Sequence, residues 1–272
     1  MAGTKSPRRL RLITINTPKG QEVQIFVEEL KAKYDFKLIH QVCDVRKGFQ
    51  KSEEFLKLNP NGKIPVLIDN NHNALNISGH PFCIMESPAI VDYLSVRIDK
   101  KRLFSFTHPL ERCEMEQWIT WGISELGYMT DECIHFLRYA PQGQGKVIEH
   151  HTRNLLVAYH ALERHLSGPP PLAAQDYIAG CGKGTYSIAD MVTWPSINVN
   201  HLCGLEASTL DDLPHVKAWF VRIGSRRQVI SGSSSKYEYV GPRLVARIHQ
   251  HYIEGSFGFQ DSTLKAQNQA ES

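Results

Sequence analysis

No stretch of the chain is apolar for long enough to span a membrane, and the residues after Met1 hold no apolar segment of the kind that directs secretion. The six cysteines (Cys43, Cys83, Cys113, Cys133, Cys181 and Cys203) never form a Cys-x-x-Cys pair. That argues against a zinc site, a disulfide scaffold and a thioredoxin-type dithiol. The thirteen histidines lack the paired spacing of a metal site, and the adjacent His150 and His151 face different directions on a helix. Charge of one sign is scarce: the formal net charge is +3 over 272 residues, with no basic stripe. The short positive run at residues 5–11 reads as a solvated tail. These absences predict a soluble protein of a reducing, cytoplasmic compartment, with no metal, no nucleic acid and no membrane among its partners. A hydrophobic fraction of 42% and a charged fraction of 22% suit an ordinary globular chain, long enough for one large domain or two of ordinary size.

What is present concentrates between residues 59 and 87. The run Asn59-Pro60-Asn61-Gly62-Lys63-Ile64-Pro65 is rich in turn formers and leads straight into Val66, Leu67, Ile68 and Asp69. A proline at the entry of an apolar run suits the start of a strand and not its middle. A second short strand, residues 82–85, is followed by Glu86-Ser87-Pro88. Ser87 is a good helix N-cap and Pro88 a good first helical residue, because that position has no use for a backbone N–H. A helix start carries unpaired N–H groups and the positive end of the dipole, so it attracts a carboxylate.

Upstream, residues 10–15 form an apolar strand and 16–20 a turn, and 21–34 read as a helix with Val23, Phe26, Val27, Leu30 and Tyr34 inward and its Glu and Lys residues opposite. Residues 37–42 are the next strand, 52–58 a short helix, and 88–97 the helix after the central stretch. The order is βαβα-ββα, with 70–81 read as a surface loop. After residue 100 the patterning is helical: 111–126 with Met115, Trp118, Ile119, Gly122, Ile123 and Leu126 on one face, and 147–166, ended by Gly168-Pro169-Pro170-Pro171. Ser187-Ile188-Ala189-Asp190 is a capping box opening a helix toward His201, with Pro195 inside it, and 215–224 is a last amphipathic helix. Residues 231–235 have the composition of a flexible linker, 243–252 read as a short helix, and the remainder as disordered.

The segments 59–65 and 84–90 resemble the glutathione-binding half of the cytosolic glutathione S-transferases, and the helical remainder continues the resemblance over roughly residues 10–229. The resemblance implies an α/β thioredoxin-like domain (10–100) followed by an all-α domain (107–230), a disordered start (1–9) and a partly disordered C-terminal extension (231–272). It also implies a cis Pro65, with Ile64 pairing its backbone with the cysteine of glutathione, and Glu86 and Ser87 holding the γ-glutamyl end. The tip Asn16-Thr17-Pro18-Lys19-Gly20 has none of the tyrosine, serine or cysteine common in the family; it resembles the Thr-Pro-x-Gly tip of the nu-class and fungal nitrogen-catabolite-regulator-like subgroup. On that subgroup's pattern Thr17 lies by the glutathione sulfur, Gln50 reaches the tripeptide, and Lys63 is the basic residue before Ile64-Pro65. Lys19 replaces the subgroup's asparagine. It either stabilises a thiolate by charge or extends into solvent and leaves the helix N–H groups to act alone.

Such a protein supplies no nucleophile of its own, because glutathione brings the thiol and the protein lowers its pKa. Glutathione is then a cosubstrate, and the subunits pair as homodimers through the thioredoxin-like half of one and the helices of the other. Three activities remain open: glutathione-dependent reduction of small disulfides, conjugation of glutathione to an apolar electrophile, and a non-catalytic regulator binding a protein partner. Cys43 is read as a buried structural thiol, His150 as part of a solvated helix face, and Trp118, Trp121, Tyr128, Phe136 and Tyr139 mostly as core.

Overall fold

The computed structural model describes residues 10–70, 81–140, 144–168 and 173–238. The tail 1–9, nearly all of the 70–81 loop, Pro169–Pro171 and the helix expected over 243–252 lie outside those residues. Strands β1 (Leu10–Thr14), β2 (Leu38–Val42), β3 (Val66–Asp69) and β4 (Phe82–Met85) form a sheet in the order β2-β1-β3-β4. β1 and β2 run parallel, joined by helix α1 (Pro18–Lys33), and β3 pairs antiparallel with both β1 and β4. Side chains alternate across the sheet. Leu12, Leu67 and Ile84 join α1 and helix α3 (Ser87–Ile98) on one face, while Ile13, Val66 and Ile68 pack with Cys43, Val45 and Phe55 on the other. Phe55 comes from the single turn α2 (Glu53–Leu56). This is the thioredoxin-like arrangement, and the rest of the described chain is mostly helical.

α4 (Pro109–Trp121) passes through a π-helical stretch, Gly122–Gly127, into α5 (Tyr128–Arg138), so the helix expected over 111–126 is longer than its pattern indicated. α6 (Gly145–Leu166), α7 (Ile188–Asn198) and α8 (Pro214–Gly224) follow. The capping box of α7 forms as expected, with Ser187 N–H donating to Asp190 Oδ2 at 2.9 Å. Asp190 also accepts from Trp219 Nε1 at 2.8 Å and from Ile178 N–H at 3.1 Å. Burial raises its pKa to about 6 against these bonds.

Two sequence patterns are overridden for tertiary reasons. The side of α1 opposite its apolar stripe is largely covered: Gln21, Glu22, Gln24 and Glu29 are buried along with the apolar side chains, while Lys33 stays exposed. α7 and a further helix, α9 (Arg227–Gly232), cover the side of α1 that the sheet leaves open. The serine-rich stretch at 231–235 is ordered and not a loose linker. Gly232 lies so close to α1 that a Cβ there would stand 2.7 Å from Ile25 Cα, and Ser231 Oγ donates to Glu28 Oε2 at 2.8 Å. A turn over Ser235–Tyr237 then buries Tyr237.

Candidate functional site

Strand register brings three separate segments to one end of the sheet. Ile13 pairs with Val66 and Val66 with Met85, so the chain leaving β1, the Ile64-Pro65 entry to β3 and the Glu86-Ser87 exit from β4 lie side by side. The Ile64–Pro65 peptide bond is cis. Asn59 holds the turn before it, donating from Nδ2 to Lys63 O at 2.7 Å and accepting the Asn61 N–H at 2.9 Å. Lys63 is exposed and Gln50 is buried on a neighbouring helical turn.

At the β1–α1 tip Thr17 is extended and caps α1, its Oγ1 accepting the Gly20 N–H at 2.9 Å. Pro18 follows inside the first turn. Gly20 has no substitute, because a Cβ there would lie 2.0 Å from Ile15 O. Asn16 braces the tip from the other side. Its N–H donates to Tyr237 O at 3.0 Å, its Nδ2 to Ser233 O at 3.1 Å, and its Oδ1 accepts from Gln21 Nε2 at 2.9 Å.

Glu86 adopts φ 66°, ψ 121°, a conformation that an L residue rarely takes and that costs roughly 1–3 kcal/mol. Its exposed side chain makes no cap bond. Ser87 stands one residue further in than its sequence suggested, inside α3, with Glu86 at the cap position. The Ser87 hydroxyl is turned away from capping. It donates to Glu22 Oε2 at 2.5 Å, while Lys19 Nζ donates to Glu22 Oε1 at 2.9 Å. The starts of α1 and α3 therefore converge on one buried carboxylate.

Lys19 neither hangs in solvent nor stands alone. Its ammonium rests against the π-helical stretch, where a Cβ on Gly127 would be 2.9 Å away. Burial alone would lower its pKa, but Glu22, Asp131 and Glu86 outweigh that and raise it. Asp131, reaching in from α5, is lifted to about 6 by burial, against the pull of Lys19 and Lys63. Lys19, Glu22 and Ser87 are thus in hydrogen-bond contact, Glu86 and Asp131 act on them electrostatically, and Lys63 acts on Asp131. Glu22, Asp131 and Gly127 were not singled out from the sequence. The Lys19–Glu22 spacing of three was the available signal, since it is the spacing of a helical ion pair.

The other candidates lie apart from this cluster. Cys43 is fully buried in the core on the other face of the sheet, its thiol pushed by burial to about 12. His150 is exposed on α6 and lies 3.0 Å from Asn154 Nδ2. All six cysteines are unpaired. Among the described residues no group of His, Cys, Asp or Glu is placed to hold a metal, and no helix is long and apolar enough to cross a membrane.

The family described as glutathione S-transferase, N-terminal domain, matches residues 11–96. The disulfide-bond oxidoreductase YfcG of Escherichia coli is 35% identical over 210 residues, covering 77% of this chain and 87% of that protein. The disulfide-bond oxidoreductase YghU of the same organism is 31% identical over 233 residues, 82% of this chain and 73% of that one. Among solved structures, the glutathione transferase URE2P6 from Phanerochaete chrysosporium, in complex with oxidized glutathione, superposes with a TM-score of 0.70 at 27% identity, covering 83% of this chain and 95% of that one. With the sheet order, the helical remainder and these relatives in agreement, the chain belongs to the glutathione S-transferase family.

Proposed function

We propose that the chain binds glutathione at the shared end of β1, β3 and β4 and uses its thiol to reduce small disulfides. The observation that carries this reading is the presentation of Glu86 and Ser87 from a strained backbone at the start of α3, beside the cis Ile64–Pro65 bond and facing the start of α1. Glu86 offers a charge for the ligand's α-ammonium, and the α3 N-terminus with the Ser87 hydroxyl offers donors for its α-carboxylate. Gln50, Lys63 and the Ile64 backbone take the rest of the tripeptide, and its sulfur lies at the α1 tip. There the positive end of α1 and the Thr17 hydroxyl favour the thiolate. Oγ1 already accepts the Gly20 N–H, so its own proton is the one available to sulfur.

The reaction is thiol–disulfide exchange. The glutathione thiolate attacks one sulfur of the substrate, expelling a thiolate and leaving a mixed disulfide, which a second glutathione resolves to oxidized glutathione and a second thiol. The names of YfcG and YghU and the oxidized glutathione in URE2P6 support this direction. Lys19 is better placed to serve the γ-glutamyl end than the sulfur, because the carboxylates around it are Glu22, Glu86 and Asp131. The proposed cytoplasmic setting accords with six unpaired cysteines. A homodimer is part of the proposal, with exposed Val96 on α3 and Leu110 on α4 as apolar surface for a partner to cover.

Paired steady-state assays test the activity, with glutathione and hydroxyethyl disulfide in one arm and 1-chloro-2,4-dinitrobenzene in the other. Disulfide turnover exceeding conjugation is expected. Dominant conjugation would assign the protein to electrophile transfer, and silence in both arms with retained glutathione binding would make it a non-catalytic binder.

A further inference from the structure

The proposed subsite contains a conflict that belongs to this chain. Both oxygens of Glu22 are engaged, Oε1 by Lys19 and Oε2 by Ser87, and the side chain is fully buried. The γ-glutamyl carboxylate, placed as above, calls on the same Ser87 hydroxyl. A hydroxyl has one proton to donate. Two carboxylates meeting at it in a buried site cannot both stay ionised at little cost. Lys19 is a single cation already in the field of Glu22, Glu86 and Asp131, so it does not neutralise a further anion. A proton relieves the conflict. A neutral Glu22 turns from acceptor to donor, returns its hydrogen bond to the Ser87 oxygen and frees the Ser87 proton for the incoming carboxylate.

Resting on the glutathione reading, we propose that Glu22 is a positioning residue of the γ-glutamyl subsite: it takes up a proton from solvent as the ligand binds and, as a neutral acid, turns the Ser87 hydroxyl toward the ligand's carboxylate. Burial already raises the Glu22 pKa against the pull of Lys19 and the Ser87 hydrogen bond. The groups facing it are Lys19 from its own helix, Ser87 and Glu86 from α3, and Asp131 from α5, with Lys63 beyond Asp131. Asp131, at about 6, acts in the opposite sense, since an arriving ammonium favours its ionised form. Above pH 7 it is already largely ionised and contributes little proton exchange.

The test is calorimetric titration of the full chain with S-methylglutathione, whose blocked thiol does not titrate, at pH 7.5 in phosphate, HEPES and Tris. The dependence of the apparent enthalpy on the buffer's ionisation enthalpy counts the protons exchanged. Uptake approaching one proton per ligand is expected, with affinity falling up to about tenfold per pH unit in that range. Glu22→Gln, a neutral residue of the same shape, should bind with no uptake and a flat pH profile. A buffer-independent enthalpy in the unsubstituted protein overturns the assignment without needing the variant, and so does an unchanged proton count in Glu22→Gln. Either of those leaves the glutathione site standing. No binding by the unsubstituted protein at any pH overturns the site and this inference together.

Discussion

Tyr237 donates its hydroxyl to Glu28 at 2.7 Å, which ties the segment after the helical half back onto α1. Lys31, Lys236 and Ser231 share the same carboxylate. The strap they form also reaches the tip, because the Asn16 N–H donates to the Tyr237 carbonyl. The residues beside Thr17 are therefore held by a part of the chain more than two hundred positions away.

Burial by itself would raise the Glu28 pKa, yet hydrogen bonds from Tyr237, Lys31, Lys236 and Ser231 bring it down to about 2. The folded value lies below the ordinary 4.5, so Glu28 adds stability that is present above about pH 4.5 and lost as pH falls toward about 2. Melting temperatures of the unsubstituted protein and Glu28→Gln, compared from pH 6 to pH 2, should differ most at the upper end and converge at the lower. Tyr237→Phe should cost about 1.5–3 kcal/mol in denaturant unfolding, the range for a hydrogen bond to a charged group.

Asp190 accepts from Ser187, Ile178 and Trp219, all buried. Asp190→Ala strands three donors and should cost at least about 3 kcal/mol, seen as a lower denaturation midpoint or loss of soluble protein. Its folded pKa of about 6 lies above the ordinary 3.8, so its contribution is full below about pH 3.8 and declines as pH rises through 6. The stability gap to Asp190→Asn, which does not titrate, should shift in that direction between pH 4 and pH 7.

Thr17→Val removes both the α1 cap and the hydroxyl proposed to serve the sulfur. The cap alone is worth about 1 kcal/mol of stability. If the hydroxyl serves the thiolate, kcat for disulfide reduction should drop roughly 10- to 100-fold with KM little changed, while Thr17→Ser stays close to the unsubstituted protein. A rise in KM at constant kcat would instead assign the thiol to the α1 N–H groups.

The parts legible in the sequence share one property: their signals are local. Pro65 before an apolar run, Ser87-Pro88 after one, and Ser187 with Asp190 three residues on each encode a turn or cap within a few positions; β3 and α7 stand where those signals put them, and α3 starts one residue earlier. The role of Glu22 leaves no local signal, because its environment is built from distant parts of the chain. On a helix covered on one side it would face water, but α7 and α9, arriving from far along the chain, bury it. The serines at 231–235 were misleading for the same reason: their composition suits a linker, while Glu28 and the α1 backbone give them fixed partners. The π-helical stretch that brings Gly127 against Lys19 has no periodic signature, since its residues differ from α-helical spacing by one position in a single turn.

Glu86 is the proposed charge partner of glutathione, and Glu86→Ala is the variant that probes this role. Its side chain is exposed and makes no cap bond, so the variant should fold with an unchanged melting temperature. Calorimetric titration with glutathione should then show binding weakened about 10- to 100-fold, the loss of a charge-assisted hydrogen bond worth about 1.5–3 kcal/mol. A folded Glu86→Ala that binds glutathione as tightly as the unsubstituted protein would contradict the site.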